Sequence, residues 1–137
     1  MKRINEEFLQ AVVMAPKSVA ANTSASTEYA VDVSNIPEVA FTVATGALGE
    51  GKKLTVKLLA TDASDGSGAV VIREALFTAD SGPSSCLASV SYEPTALHGR
   101  YISLAIQHDA DDAVICSVTA LLRQREIPAN NVWTVMV

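Results

Sequence analysis

Short segments in which apolar and polar side chains alternate run through most of this 137-residue chain. The clearest is Leu54-Thr55-Val56-Lys57-Leu58, and clusters of Gly, Asp, Ser and Pro separate such segments from one another. Successive side chains of a strand point to opposite faces, so a period of two predicts sheets with one buried and one hydrated face. We therefore predict an all-β fold, an antiparallel β-sandwich or jelly-roll-like domain with an extended N-terminal arm.

The same alternation predicts the individual strands. They are residues 27–33, 39–43, 53–60, 69–78, 85–92, 100–108 and 113–123. Residues 114–122 are apolar at nearly every position, which predicts a central strand buried on both faces. The turn at residues 109–112 is expected to join the last two strands as an antiparallel hairpin.

The two ends of the chain differ in composition from the middle. An apolar run over residues 8–14 could begin a helix, but Pro16 would end it, and residues 18–26 are rich in Ala, Ser, Asn and Thr. We interpret residues 1–25 as an N-terminal arm, 26–127 as the β-sandwich domain and 128–137 as a C-terminal tail or edge strand. The arm either grips a partner or packs locally as a loose tail.

Apolar side chains at these ends are the candidate partner-binding residues. They are Phe8, Leu9, Val12, Val13, Met14, Val132, Trp133 and Val135. A tryptophan is costly to leave in water, so Trp133 is expected either on an edge strand that folds back or as an anchor in a neighbouring subunit.

Catalytic, cofactor and metal sites are not predicted. Nucleophilic catalysis needs a base within hydrogen-bond reach of the thiol, whereas His108 ends one strand and Cys116 lies in the middle of the next. Cys86 and Cys116 alternate with apolar neighbours, which favours two small buried hydrophobes over a disulfide. The aspartates of residues 62–66 and 109–112 lack the spacing of a calcium loop and indicate turns.

Charge and hydropathy exclude two classes of partner. The net charge is −5, and the ten Lys and Arg residues are scattered singly, so direct nucleic-acid binding is not expected. No apolar run approaches the ~20 residues of a membrane span. Lys2 and Arg3 before an apolar run imitate a secretory signal, but Glu6 and Glu7 interrupt it. We expect a soluble protein with no membrane partner.

The order of several segments resembles small virion structural proteins of tailed bacteriophages, of the capsid-decoration or cement type. The segments are a short apolar N-terminal segment, Val31-Asp32-Val33-Ser34, Val39 to Val43, Leu54 to Leu59, an Asp-Ser-Gly loop, Arg100-Tyr101-Ile102 and Arg125-Glu126-Ile127-Pro128. Together they cover most of residues 8–128.

This resemblance implies a non-enzymatic protein that decorates and stabilises a capsid by binding the major capsid protein. It implies a homo-oligomer, with a trimer as one form, that is made in the host cytoplasm and lies on the capsid surface. It implies no catalytic residues and no cofactor. The alternatives are a phage tail or head-tail joining protein, and a ligand-binding β-sandwich module, which would need exposed aromatics along a groove.

Overall fold

The structure, a computed structural model, describes residues 7–27, 30–80, 82–95 and 97–123. In these residues the regular elements are strands: β1 (Phe8–Val19), β2 (Ser24–Ser26), β3 (Val31–Asp32), β4 (Glu38–Leu48), β5 (Lys53–Thr61), β6 (Val70–Thr78), β7 (Ser84–Tyr92), β8 (Tyr101–His108) and β9 (Val114–Arg123). None of the described residues belongs to a helix that is long and apolar enough to span a membrane.

The strands form two antiparallel sheets that pack face to face. Sheet A has the order β1-β9-β4-β7, and sheet B has the order β2-β8-β5-β6. Strand β3 also pairs with β8, so β2 and β3 act as one interrupted strand along the same edge. Eight strand positions in two four-stranded sheets with this order make a jelly roll. The predicted all-β sandwich is confirmed.

Alternate side chains of both sheets build the core, as the period of two requires. Leu54, Val56 and Leu58 of β5 are buried, while Thr55 and Lys57 between them are not. Phe41 and Val43 of β4 face them from the other sheet. Most core side chains are Val, Leu, Ile and Ala, which suit the thin space between two sheets about 10 Å apart.

The expected arm is replaced by an edge strand over part of its length. Residues 8–19 form β1 and pair antiparallel with β9 from Phe8 opposite Arg123 to Val19 opposite Val114. Val13, Met14 and Val19 are buried in the core. The prediction of a separate arm is therefore wrong for these residues, because their apolar side chains are needed to close sheet A. Pro16 lies within the second of two register shifts in this edge strand, where a missing N–H is tolerated.

The predicted hairpin between the last two strands is also wrong. β8 belongs to sheet B and β9 to sheet A, so residues 109–113 cross from one sheet to the other. Both edges of β8 are already paired, one with β5 and the other with β2 and β3. The crossover is held by the Asp109 carboxylate, which accepts the Lys53 backbone N–H at 2.7 Å, and by the Ala110 carbonyl, which accepts the Asn22 N–H at 3.0 Å.

Strand β9 is central in sheet A, as predicted, but only one of its faces is buried. Val114, Cys116 and Val118 point into the core, whereas Ile115 between them is 60% exposed. The continuous apolar run therefore reflects an inner face in the core and an outer face that carries apolar residues and that no other layer of the described residues covers.

Truncating Met14 tests the role of β1 in the core. Met14 is fully buried, so Met14→Ala is expected to lower the free energy of unfolding by about 2–5 kcal/mol in urea denaturation. The neighbouring Val12 is 59% exposed, and Val12→Ala is expected to change it by about 0.5 kcal/mol or less. Equal effects of the two substitutions would contradict this assignment of β1 to the core.

Candidate interaction surface

The outer face of sheet A has no charged side chains at its centre. Its residues are those that alternate with the core residues of the four strands, and the strand registers order them into rows across the sheet. The rows are Gln10, Leu121, Ala40 and Ser91; Val12, Thr119, Thr42 and Ser89; and Ser117, Ala44 and Leu87. Most of these side chains are small. We call this set the A face.

Three large apolar side chains project from or beside the A face. Leu87 is 79% exposed, and Val12 and Ile115 are each about 60% exposed. Gly46 lies next to Ile115 and adds no side chain there. A Cβ placed on Gly46 would lie 3.8 Å from the Ile115 carbonyl oxygen. The A face thus consists mainly of small Ala, Ser and Thr side chains, with a few larger aliphatic side chains that project from it.

The dimensions of the A face suit a protein partner. Four strands about 4.8 Å apart and three rows about 7 Å apart give an area on the order of 400 Å². A stable protein–protein interface buries about 800 Å² on each partner. The A face alone therefore supplies roughly half of such an interface, and adjoining residues or several linked copies must supply the rest.

The outer face of sheet B differs in its chemistry. Lys57 lies there between Glu74 of β6 and Ala105 of β8, so opposite charges are neighbours across the strands. Such a pair is stable in water and loses hydration when it is buried. The contrast between the two faces singles out sheet A as the face that can be covered with less desolvation of charge.

The candidate partner-binding residues from the sequence fall into three groups. Val13 and Met14 are buried and are not available to a partner, which corrects their assignment. Val12 lies on the A face, while Phe8 and Leu9 are half-buried at the start of β1, with the Arg123 guanidinium 4.9 Å from the Phe8 ring centroid. Val132, Trp133 and Val135 lie outside the described residues.

Sequence reasoning missed most of the A face. Its signal was present: the outward positions of the segments that became β4, β7 and β9 read Ala, Thr, Ala; Ser, Leu, Ser, Ser; and Ile, Ser, Thr, Leu. Apart from Glu38 and Arg123 at the border, these three neighbouring strands carry no outward charge, which is unusual for a hydrated face. The order of the strands, which makes these positions contiguous, could not be predicted from the alternation.

A salt bridge organises the loops at one end of the sandwich. Arg100 donates to the Asp32 carboxylate from Nε at 2.9 Å and from Nη2 at 2.7 Å. The Arg100 side chain holds the pKa of the Asp32 carboxyl well below its usual range, and the Ser34 N–H, at 3.0 Å, adds to this effect. The Arg100 N–H also donates to Asp62 at 3.3 Å. Arg100 therefore connects the end of β3, the loop after β5 and the segment before β8.

Two clefts flank this end of the molecule. One of about 460 Å³ is lined by the loop after β3, Asp62 and the residues before β8. The other, of about 440 Å³, includes Tyr92 and His98, and the Tyr92 hydroxyl lies 2.7 Å from His98 Nδ1. His98 is exposed, and the tyrosine it contacts is buried.

The buried titratable groups serve the core. Cys86 and Cys116 are free thiols, as the alternation predicted, and burial raises the pKa of each, the nearby Cys86 raising that of Cys116 further. His108 donates from Nε2 to the Val19 carbonyl at 3.1 Å and accepts the Ala110 N–H at Nδ1, which assigns a neutral tautomer. Among the described residues no group of three or more His, Cys, Asp or Glu side chains is placed to hold a metal ion.

Comparison with solved structures relates this fold to known ones. The chain is similar to the PBSX exported protein XepA, with a TM-score of 0.61 at 8% identity over 100% of this chain and 44% of that one. A mutant VP2 protein of infectious bursal disease virus, from derived T=1 particles, gives a TM-score of 0.52 at 12% identity over 85% and 31%. Eiger TNF from S. frugiperda gives 0.50 at 15% identity over 92% and 99%.

The chain spans less than half of the XepA chain and about a third of the VP2 chain. At these identities the likeness shows the fold, and the neighbours include a viral structural protein. No protein-family model matches the chain, and no curated protein matches it in sequence.

The Asp32–Arg100 pair predicts a pH-dependent contribution to stability. Because the carboxyl pKa is lower in the folded state, this contribution is fully present above the unfolded value of about 3.9 and is lost as the pH falls below it. The difference in unfolding free energy between the wild type and Asp32→Asn should be constant from neutral pH to about pH 5 and shrink below about pH 4.

Both side chains of the pair are partly exposed, so the difference is expected to stay below about 1 kcal/mol. Asp111→Asn is the control, because Asp111 makes only a single 3.4 Å contact with Lys52 among the ion pairs of the described residues. A difference that grows as the pH falls would contradict the assignment.

The thiols supply a second prediction. Because burial raises both pKa values and covers both sulfurs, the native protein at neutral pH should react with a disulfide reagent at least about tenfold more slowly than the unfolded chain. Rapid native reaction of either thiol, measured by absorbance, would place that thiol at the surface.

Proposed function

We propose that this chain is a non-enzymatic virion structural protein that decorates a capsid and binds its major capsid protein through the A face. The observation that carries this proposal is the A face itself, an uncharged sheet surface with projecting Val12, Leu87 and Ile115. Depletion of charged side chains from the centre of an exposed surface is typical of a protein-binding site.

The distribution of charge supports the same role. The chain has a net charge of −5, and decoration packs many copies onto one shell. An interface without charges avoids both the desolvation of ionised groups and repulsion between partners of the same sign. The charged residues Glu38 and Arg123 stand opposite each other at the border of sheet A, where a rim is ordinarily polar.

The jelly-roll fold is compatible with this function. Jelly rolls occur in viral capsid domains and also in lectins, so the fold alone does not separate these classes. The VP2 neighbour belongs to T=1 particles, which supports the use of a similar sandwich in a viral shell. The A face favours assembly over ligand binding, because small-molecule sites are concave and the clefts described above lie away from the centre of this face.

A matched pair of substitutions tests the proposal. Ser117 lies on the A face in β9, and Ser103 lies on the outer face of sheet B in β8; both are half-buried and both are in inner strands. Ser117→Arg should weaken binding to capsids assembled from the cognate major capsid protein at least about tenfold, since burying an unpaired charge costs more than about 1.4 kcal/mol. Ser103→Arg should bind like the wild type.

Binding is measured by cosedimentation with capsids, and circular dichroism confirms that both variants fold. Wild-type binding by Ser117→Arg would remove the A face from the proposal. The number of bound copies separates decoration from a tail or joining role: dozens to hundreds per particle support decoration, and a few copies at one vertex contradict it.

A further inference from the structure

Strand β6 is an exposed edge of sheet B. Within the part of the chain that the structure describes, it pairs with β5 and has no strand on its other side. Val70 is 64% exposed, Leu76 is 62% exposed, and Val71 is also exposed. A long edge strand with apolar side chains and an unpaired row of backbone groups is a template for another strand.

Two of the other sheet edges carry features that discourage pairing, and at the third, β7, the inner side chains Cys86, Val90 and Tyr92 are already buried. Strand β1 contains two register shifts, and Pro16 and Lys17 lie within them. The opposite edge of sheet B is formed by β2 and β3, which have three and two residues. Bulges, proline, lysine and short strands are the usual means of discouraging edge pairing. Strand β6 has one register shift, between Val71 and Arg73, but it is nine residues long and contains neither proline nor lysine.

The inner side of β6 is open as well. Ala75 and Phe77 pair with the buried Val56 and Leu54 and so point toward the other sheet, yet Ala75 is exposed and Phe77 is only half-buried. Sheet A ends at β7 and does not cover them. Near one end, Arg73 Nη1 donates to the Ser91 carbonyl and bridges the two sheets. An added strand would cover apolar surface on both of its sides.

Pairing of β6 with β6 of a second copy is disfavoured by charge. In a two-fold antiparallel pair, the fully overlapped register sets Glu74 against Glu74, and the next register sets Arg73 against Arg73. A third long register sets both charges against apolar residues. Like charges directly opposite each other are destabilising, and none of these registers pairs Arg73 with Glu74.

An uncharged strand meets no such conflict, because it sets no like charge opposite Arg73 or Glu74. Arg73 donates to Ser91, and Glu74 stands opposite Lys57. The sequence contains an uncharged segment of strand-forming residues outside the described sandwich, Val132-Trp133-Thr134-Val135-Met136-Val137. Its β-branched and aromatic side chains suit an added edge strand.

We propose that residues 132–137 of one copy pair with β6 of a second copy, so that the protein assembles with itself by strand addition. Trp133, Val135 and Val137 share one side of such a strand and cover the open inner side near Phe77. The contact is head-to-tail, which generates a closed ring or an open chain. It goes beyond the proposed shell contact and stands without it, since β6 and the A face are different surfaces.

The topology favours a second copy over the same one. β9 ends at Arg123 opposite Glu38, at the end of the sandwich where β6 begins with Val70. A segment of the same copy that follows Arg123 and adds to β6 from this end would run parallel to β6. Sheet B is antiparallel throughout the described pairs, and a parallel addition is slightly less stable. A strand from another copy can enter antiparallel.

The experiment uses the full chain, whose single tryptophan is Trp133. Sedimentation velocity and tryptophan fluorescence are measured over a dilution series. The expected result is an oligomer whose dissociation on dilution shifts the emission to longer wavelength. Val70→Lys should raise the dissociation constant at least tenfold and produce that shift at concentrations where the wild type is assembled.

Val12→Lys is the matched control, because Val12 has nearly the same exposure as Val70 and lies on the opposite edge of the molecule. It should leave self-assembly unchanged. Leu76→Lys repeats the test on the same edge should Val70→Lys fail to fold by circular dichroism. Trp133→Ser should weaken assembly as strongly as the β6 substitutions.

Three outcomes would overturn the proposal. They are a monomer at all concentrations, an oligomer that both β6 substitutions leave intact, and a buried tryptophan in a monomer whose emission does not change on dilution. Failure here is distinguishable from failure of the shell contact, because Ser117→Arg is expected to lose capsid binding while it still self-assembles, and Val70→Lys is read by self-assembly alone.

Discussion

Burial of one side of each sheet against the other is the constraint on which the rest of this structure depends. Phe41 and Met14 from sheet A and Leu54 and Leu58 from sheet B are fully buried between the layers. Because the inner side chains supply the hydrophobic stabilisation, the outer side chains are not needed to hold the fold. Selection on the two outer faces can therefore differ, and they do differ: one carries Lys57 and Glu74, the other small uncharged groups.

The sequence predicted the strands well and their arrangement poorly. Alternation along β5 and β8 identified both the element and its buried side, because that information is local. The crossover from β8 to β9 was misassigned as a hairpin because a turn sequence does not say which sheet receives the next strand. That choice depends on which edges of β8 are already occupied, and it is made by residues far away in the chain.

The candidate site shows the same division. Val12 was predicted as a partner-binding residue and is exposed on the A face, whereas Met14, two positions along, is in the core. Residues two apart in a regular strand share a face, but a register shift between Val12 and Met14 places them on opposite faces of sheet A. No sequence pattern predicted this shift. To predict the A face, one would have to know that β9 lies between β1 and β4. The C-terminal candidates lie outside the described residues, so their assignment stays a prediction.

The position of β9 has a consequence for biosynthesis. Sheet A cannot close until this strand has left the ribosome, because β9 separates β1 from β4 and pairs with both. Until then β1, which carries Met14, has no strand to pair with, and non-local pairing of this kind is slow and prone to aggregation. Synthesis of such a chain in quantity would therefore place a lasting demand on the chaperones of the cell that makes it.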